Sequence, residues 1–242
     1  MIVLFTDFGA DDIYVAQLKA ALLQHLSGDS VILDLLHSVP RHQVRAGAHL
    51  LAALQARFPP RAVFVAVVDP GVGTSRNAVV VQADDKWYIG PDNGLMSVVS
   101  ARATSSHAWR IVWRPQPMSV SFHGRDLFAP VAALIAEGRL PSDRIEEIDA
   151  LDVRLGREDL PEVIYIDSFG NALTGLRATA VTPSATLAVH GQRISYARVF
   201  GEASGGGAFW YENSIGLVEI AANRVSAASL LGIDIGDAVT VT

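Results

Sequence analysis

AVFVAVV at residues 62–68, followed without a break by Asp69-Pro-Gly-Val-Gly-Thr-Ser-Arg76, decides how this chain folds. Seven apolar residues in a row, four of them valine, fit a central strand of a parallel sheet, buried on both faces. The octet after it then lies at the carboxyl end of that strand, where open α/β sheets bind ligands. Toward the N-terminus, residues 2–5 read as another strand, ended by Thr6-Asp7-Phe8-Gly9. Val15, Leu18, Leu22 and Leu26 fall on one helical face, with Asp11 and Asp12 placed to cap it. Residues 31–35 predict a strand, and Val44, Gly47, Ala48, Leu51 and Phe58 a second amphipathic helix. Toward the C-terminus, residues 78–82 and 87–89 read as paired strands, 95–99 as the start of a short helix, and 125–136 as a stronger one. Strand, helix, strand, helix, strand predicts an α/β domain with a central, mostly parallel sheet.

From Glu137 to Pro161 the chain turns charged and is punctuated by Pro and Gly, as in SDRIEEIDALD and LGRED. This places a linker at 151–161 between domains of residues 1–150 and 162–242. Beyond it, short strand-like runs at 163–167, 186–189, 193–199, 216–220 and 238–241 are separated by FGN, HGQ, ASGGG (203–207) and GID. That spacing predicts a small all-β, barrel-like domain.

Half of the 242 residues are hydrophobic and 18% are charged, enough to bury a sizeable core. The net charge of −6 argues against a general nucleic-acid binder. With no cysteine, disulfides, thiol catalysis and thiolate metal sites are excluded. MIVLFTDFGADD has no basic leader and reads as a buried strand rather than a signal peptide. No stretch approaches the roughly 18 apolar residues of a membrane span, so a cytoplasmic location is expected.

Three polar clusters interrupt the apolar runs. Asp7 can accept both hydroxyls of a ribose, or can close an Asx-turn or cap a helix. The 69–76 loop has an acid at one end and an arginine at the other; it lacks the lysine of a phosphate-binding loop. Phe122-His123-Gly124-Arg125-Asp126 offers either chemistry or a helix-start histidine beside a local ion pair. Gly90-Pro-Asp-Asn-Gly94 reads as a structural turn. Asp167-Ser-Phe-Gly-Asn171 is either a hairpin turn or a carboxylate, ring face and amide presented to a ligand. Trp210-Tyr-Glu-Asn-Ser214 adds aromatic and polar groups. Glu219 interrupts an apolar strand run; such an acid is usually exposed, and a buried one needs a cationic partner.

TDFGADDIYVAQLKA, HSVPRHQV, VFVAVVDPGVGTSR, GPDNGL, FHGRDLFAPVAA, IDSFGNALT and NSIGLVEIA follow one another in order from residue 3 to about 223. Together they resemble the S-adenosyl-L-methionine (SAM) hydroxide adenosyltransferases, relatives of the SAM-dependent fluorinase and chlorinase. The resemblance implies a SAM-binding α/β domain, a C-terminal β-barrel, and a homotrimer. SAM would lie between the first domain of one subunit and the second domain of its neighbour. It implies hydrolysis of SAM to adenosine and L-methionine, by in-line attack of an activated water or hydroxide on C5′ of the ribose, with no cofactor and no metal. Asp69, Arg76 and His123 would be the catalytic set, with the proton of a polarised water passing to the His123/Asp69 pair. Asp7 would hold the ribose, Asp167 and Asn171 the methionine end and nearby polar groups. Phe122 and Phe169 would supply ring contacts, and Asn213 and Ser214 would meet the adenine.

Ser168 stands where the family often has arginine, and Gly175 where it has asparagine. The halogenases carry tyrosine at the position of His123 and lack the acid of Asp69, so the set here favours water over halide. The rival readings are a SAM halogenase, a metal-dependent hydrolase using Asp7, Asp11, Asp12 and His37, and a non-catalytic SAM- or adenosine-binding module.

Overall fold

Ile2–Thr6 (β1) is buried at every position, as its apolar run requires. The helix after it, Ile13–His25 (α1), turns Val15, Leu18, Ala21 and Leu22 inward. Asp12 caps it, its Oδ1 accepting from the Ile13 amide at 2.7 Å, and Asp11 stays exposed. The chain then runs through β2 (Ile32–Leu36), α2 (Val44–Leu54), β3 (Val63–Val67), β4 (Ala78–Ala83), β5 (Lys86–Pro91), α3 (Ser97–Arg102) and β6 (Ser106–Ile111). A π-helical turn at Gly124–Phe128, α4 (Ala129–Ala136) and β7 (Ile145–Ile148) follow. The computed structural model describes residues 1–28, 30–203 and 207–242. They form two compact units: residues 1–51 with 58–157, and residues 52–57 with 158–242.

The first unit is built on a seven-stranded sheet in the order β2-β1-β3-β5-β4-β6-β7. Its β2-β1-β3-β5 half is parallel. The β5-β4-β6-β7 half is antiparallel. The expected mostly parallel sheet is therefore mixed. Only Asp84 and Asp85 separate β4 from β5, and a two-residue turn reverses the chain, whereas a parallel partner needs a crossover of about a dozen residues. The edge strand β7 lies inside the charged stretch that begins at Glu137, where nothing in the hydropathy announces a strand.

α4, APVAALIA, is apolar on all sides and correspondingly almost wholly buried. The helix expected from Arg125 begins differently: its first turn is π-helical, with the Ala129 amide donating to the Gly124 carbonyl five residues back. Such turns recur at functional sites.

The second unit carries β8 (Leu160–Ile166), β9 (Ala172–Arg177), β10 (Leu187–Val189), β11 (Gln192–Tyr196), β12 (Ala208–Glu212), β13 (Leu217–Ala222), a short α5 (Ala227–Leu231) and β14 (Thr240–Val241). Their order is β14-β10-β11-β12-β13-β9-β8. Glu162 of β8 bridges to Ala238, just ahead of β14, so the two edges approach and the sheet is nearly closed, like a barrel. Its core gathers Val163, Leu187, Ile194, Val218 and Ile220 around Trp210, whose indole Nε1 donates to the Ala185 carbonyl at 3.1 Å. In the ASGGG turn signal, residues 204–206 lie outside the described residues.

Candidate active site

The parallel half of the first sheet brings three carboxyl ends together. Asp7 follows β1, Asp69 lies two residues past β3, and Asp92 and Asn93 follow β5. The Asp7 amide donates to the Val67 carbonyl at 3.2 Å, which ties the first of these loops to the second.

Arg76 joins the sequence-predicted set. Its Nε donates to Asp69 Oδ1 at 3.0 Å, and its Nη2 pairs with Asp69 Oδ2. Nη2 also donates to His123 Nδ1 at 3.0 Å, and Nη1 to the Asn77 carbonyl at 3.1 Å. The pair is sheltered: the Arg76 and Asp69 side chains are 10% and 5% exposed. A guanidinium can only donate, so Nδ1 of His123 is the acceptor and the neutral ring carries its hydrogen on Nε2. Burial first, and the Arg76 charge second, hold the His123 pKa below its ordinary value. Four of the five N–H donors of Arg76 are thereby engaged, and it acts as the organiser of Asp69 and His123. With the Nδ1 lone pair taken, Asp69 alone of the expected pair is left to accept a proton.

His123 immediately precedes the π-helical turn. Phe122 beside it is buried and meets Phe8 and Tyr14 edge-on, with ring centroids 5.8 and 5.5 Å apart. The Arg125–Asp126 ion pair is local, at 2.6 Å, and Asp126 also accepts from the Ser119 amide at 2.7 Å, which pins the loop before His123. Asp7, Asp69, Phe122, Phe8 and Tyr14 share a cavity of about 610 Å³. Burial raises the Asp7 carboxyl, opposed by the His42 amide that donates to its Oδ2 at 3.2 Å. Tyr14, missed in the sequence, comes from the exposed side of α1.

Of the four residues of the metal-hydrolase reading, Asp7 and Asp12 line the cavity and Asp11 is exposed. His37 has both ring nitrogens engaged, Nδ1 with Thr6 Oγ1 at 2.8 Å and Nε2 with Asp34 Oδ1 at 3.0 Å. Asp12 caps α1. Among the described residues no group of three or more His, Asp and Glu side chains is arranged to hold a metal ion.

The second unit has its own cavity of about 810 Å³, lined by Asp167, Phe169, Asn171, Asn213, Ser214 and Glu219, with Tyr211 beside them. Phe169 is 79% exposed. Asp167 closes its own turn: Oδ1 accepts from the Phe169 and Asn171 amides, both at 2.9 Å, and Oδ2 from Asn171 Nδ2 at 3.0 Å. Asn213 Oδ1 accepts from the Ile215 and Leu217 amides, so its Nδ2 is aimed at Glu219 Oε2, 2.9 Å away. The Ser214 carbonyl accepts from Arg57 at 2.7 Å. Glu219 is buried, not exposed, and its partners are neutral: Tyr211 Oη donates to Oε1 at 2.5 Å. Burial and this carboxylate push the Tyr211 pKa far up, so the phenol remains a donor. Tyr211 was legible in principle, since it sits near the end of β12, two residues before Asn213. Gly175 leaves no room for a side chain. A Cβ there would stand 2.6 Å from both Leu160 Cβ and the Leu160 carbonyl oxygen.

These two units, each with a cavity lined by acids, amides and rings, match the two domains of one family. Residues 2–146 match the SAM hydroxide adenosyltransferase N-terminal domain and residues 161–240 the C-terminal domain. The chain belongs to the SAM hydroxide adenosyltransferase family. It is 38% identical to an (R)-S-adenosyl-L-methionine hydrolase of Thermus thermophilus, covering 96% of this chain and 95% of that one. A fluorinase of Nocardia brasiliensis is more distant, 26% identical over 74% of this chain and 72% of its own. The crystal structure of an uncharacterized conserved protein from Thermotoga maritima superposes with a TM-score of 0.90 at 30% identity, covering 100% of this chain and 99% of that one. Among the described residues no helix is long and apolar enough to cross a membrane.

Proposed function

We propose that this chain is a SAM hydrolase that splits SAM into adenosine and L-methionine by attack of water on C5′. The observation that carries the reading is the hydrogen-bonded Asp69–Arg76–His123 cluster, with Asp69 opening into the cavity that also holds Asp7. The name of the Thermus thermophilus relative supports it.

The balance is simple: SAM, a sulfonium cation, and water give neutral thioether, a 5′-hydroxyl and one proton. A preformed hydroxide is out of reach of this cluster. One cation at about 4 Å contributes roughly 4 kcal/mol at an effective dielectric of 20. That is about 3 pK units, against a water pKa near ~15.7. The attacking species is therefore a polarised water, oriented in line with the C5′–S bond. His123 Nε2–H and the Asp69 carboxylate aim it. The oxygen becomes strongly acidic as the C–O bond forms, so an arginine-paired carboxylate suffices to take its proton. Asp7 holds the ribose hydroxyls, with Phe122 as a ring contact. Asp167 and Asn171 hold the methionine end, Phe169 a ring face, and Asn213 and Ser214 the adenine. The family likeness is what supports a homotrimer with the site at the subunit interface. SAM is the substrate, no cofactor takes part, and the enzyme works in the cytoplasm.

The test is incubation with SAM and a chelator, without halide, in oxygen-18 water. The expected product is adenosine labelled in its 5′-hydroxyl, together with one methionine. SAM retained intact on the protein would leave a binding module instead, and turnover only with chloride or fluoride would make it a halogenase.

His123 sets the pH dependence. Its lowered pKa means that it titrates below its ordinary 6.5, so kcat/KM is expected to be flat through neutrality. The rate falls only on an acid limb below 6.5, where a proton on Nδ1 would confront Arg76. Stability follows the same sign. The unfolded chain takes up this proton at a higher pH than the folded one, so the contribution is complete above 6.5 and is lost as pH falls through the lowered folded value. In His123→Gln the acid limb should move to lower pH; a limb left in place would show that another group controls it.

A further inference from the structure

The turn Gly90-Pro-Asp-Asn-Gly94 reads in sequence as structural, yet it backs the Asp69–Arg76 pair at two points. Asn93 Nδ2 donates to the Val68 carbonyl at 2.8 Å, and Asn93 Oδ1 accepts from the Leu95 amide at 3.2 Å. Both ends of the amide are anchored, which determines its orientation: turned over, it would set carbonyl against carbonyl. Val68 lies just beyond β3, past the last rung that pairs β3 with β5, and is wholly buried. Its carbonyl takes from Asn93 the hydrogen bond that the ladder no longer supplies, and solvent has no access to replace it. Asp69 is the next residue. At the second point the Asp92 amide donates to the Asn77 carbonyl at 2.9 Å, the same oxygen that accepts from Arg76 Nη1. Asp92, a residue 4% exposed, accepts through its carboxylate from the Asp152 amide at 2.9 Å, and Asp152 accepts in turn from Asn77 Nδ2 at 2.8 Å.

We propose that Asn93 is a positioning residue for SAM hydrolysis, holding the Val68 carbonyl so that Asp69 presents its carboxylate to Arg76 and to the cavity. It touches neither substrate nor water and acts through Asp69. The proposal rests on the reading of Asp69 as proton acceptor. Catalysis is sensitive to such support, because a displacement of about 1 Å in a reacting group can cost 10²-fold in rate.

Asn93→Asp is the sharp variant. It keeps the shape and the acceptor for Leu95, and turns the donor to Val68 into a repelling oxygen. The expected result, per folded molecule, is a kcat lowered roughly 10- to 100-fold with KM for SAM unchanged. In an Asp69→Asn background the same substitution should lower kcat no further, since groups acting through one another are not additive. A merely structural role would lower the melting temperature and leave kcat per folded molecule at the wild-type value, which overturns the proposal. Losses that multiply in the double variant overturn it too. Should Asn93→Asp fail to fold, Asn93→Ser, uncharged and shorter, carries the same two expectations. Asp69→Asn run alone separates the two layers: a wild-type rate there refutes the role of Asp69 itself. A deficient Asp69→Asn beside a fully active Asn93→Asp refutes only the positioning role.

Discussion

Asp69→Asn is expected to lower kcat for SAM hydrolysis by roughly 10²–10⁴-fold, the span that a positioned proton acceptor contributes. The substitution is close to isosteric, but it removes the acceptor and disturbs its organiser. One amide position can still accept from Arg76 Nε, while the other sets an NH₂ group against Nη2. Arg76, largely buried, then loses its ion pair, and a removed partner costs about 3–5 kcal/mol where burial is complete. Part of the effect will therefore be on stability, and the rate must be normalised to folded protein by circular dichroism. SAM affinity should change much less than the rate, because the residues proposed to hold SAM are untouched. Steady-state release of adenosine and equilibrium binding of SAM, measured side by side, decide the matter. A rate near wild type with binding intact would end the assignment of Asp69, and would leave no acceptor in the cluster, since the Nδ1 of His123 is occupied.

Gly90→Ala is expected to be the most damaging small substitution in the first unit. Gly90 lies next to Ile89, which pairs with Val65, so β3 and β5 run side by side at this point. A Cβ on residue 90 would stand 2.1 Å from the Ala66 carbonyl oxygen and 3.3 Å from its carbon. Neither atom can move without parting two central strands. Overpacking of this kind costs about 3 kcal/mol at the upper end of its usual range. For a chain of this length that lowers the melting temperature by roughly 6–12 °C. The variant should also lose activity in excess of its unfolded fraction, since Asp69 and Asn93 hang from the ends of the strands being forced apart. Thermal unfolding followed by circular dichroism tests this directly. A melting temperature within a degree or two of wild type would mean that β3 and β5 are not in this contact.

Much of the candidate site was legible from the residues. Asp7, Asp69 and Arg76 sit where apolar strand runs give way to polar loops, and that position is itself the signal. His123 was legible from its cluster at the start of a helix, and its direct bond to Arg76 was not. The sheet was half legible. The β4–β5 hairpin was expected, and it is the element that makes a mostly parallel sheet impossible. β6, SHAWRI, β7, IEEI, and β9, ALTGLR, are strands made by their neighbours: each mixes polar and apolar residues without a sustained period, and pairing supplies what propensity does not. β12, AFWYE, is aromatic enough to be a strand, yet it read only as a source of ligand contacts. The turn at 90–94 reads as structural because its composition is that of an ordinary turn.

The amino-acid sequence by itself determined the layered first unit, the β-rich second unit and the family, and it marked most of the residues that line the candidate site. These rest on local chemistry, on apolar period, turn residues and polar breaks, which each segment carries alone. Only the tertiary structure decided the mixed sheet, the occupied Nδ1 of His123, the burial of Glu219 beside neutral donors, and the hold of Asn93 on Val68. Those depend on which distant residues share a hydrogen bond, and such partners are set by how strands order themselves in space rather than by neighbours along the chain.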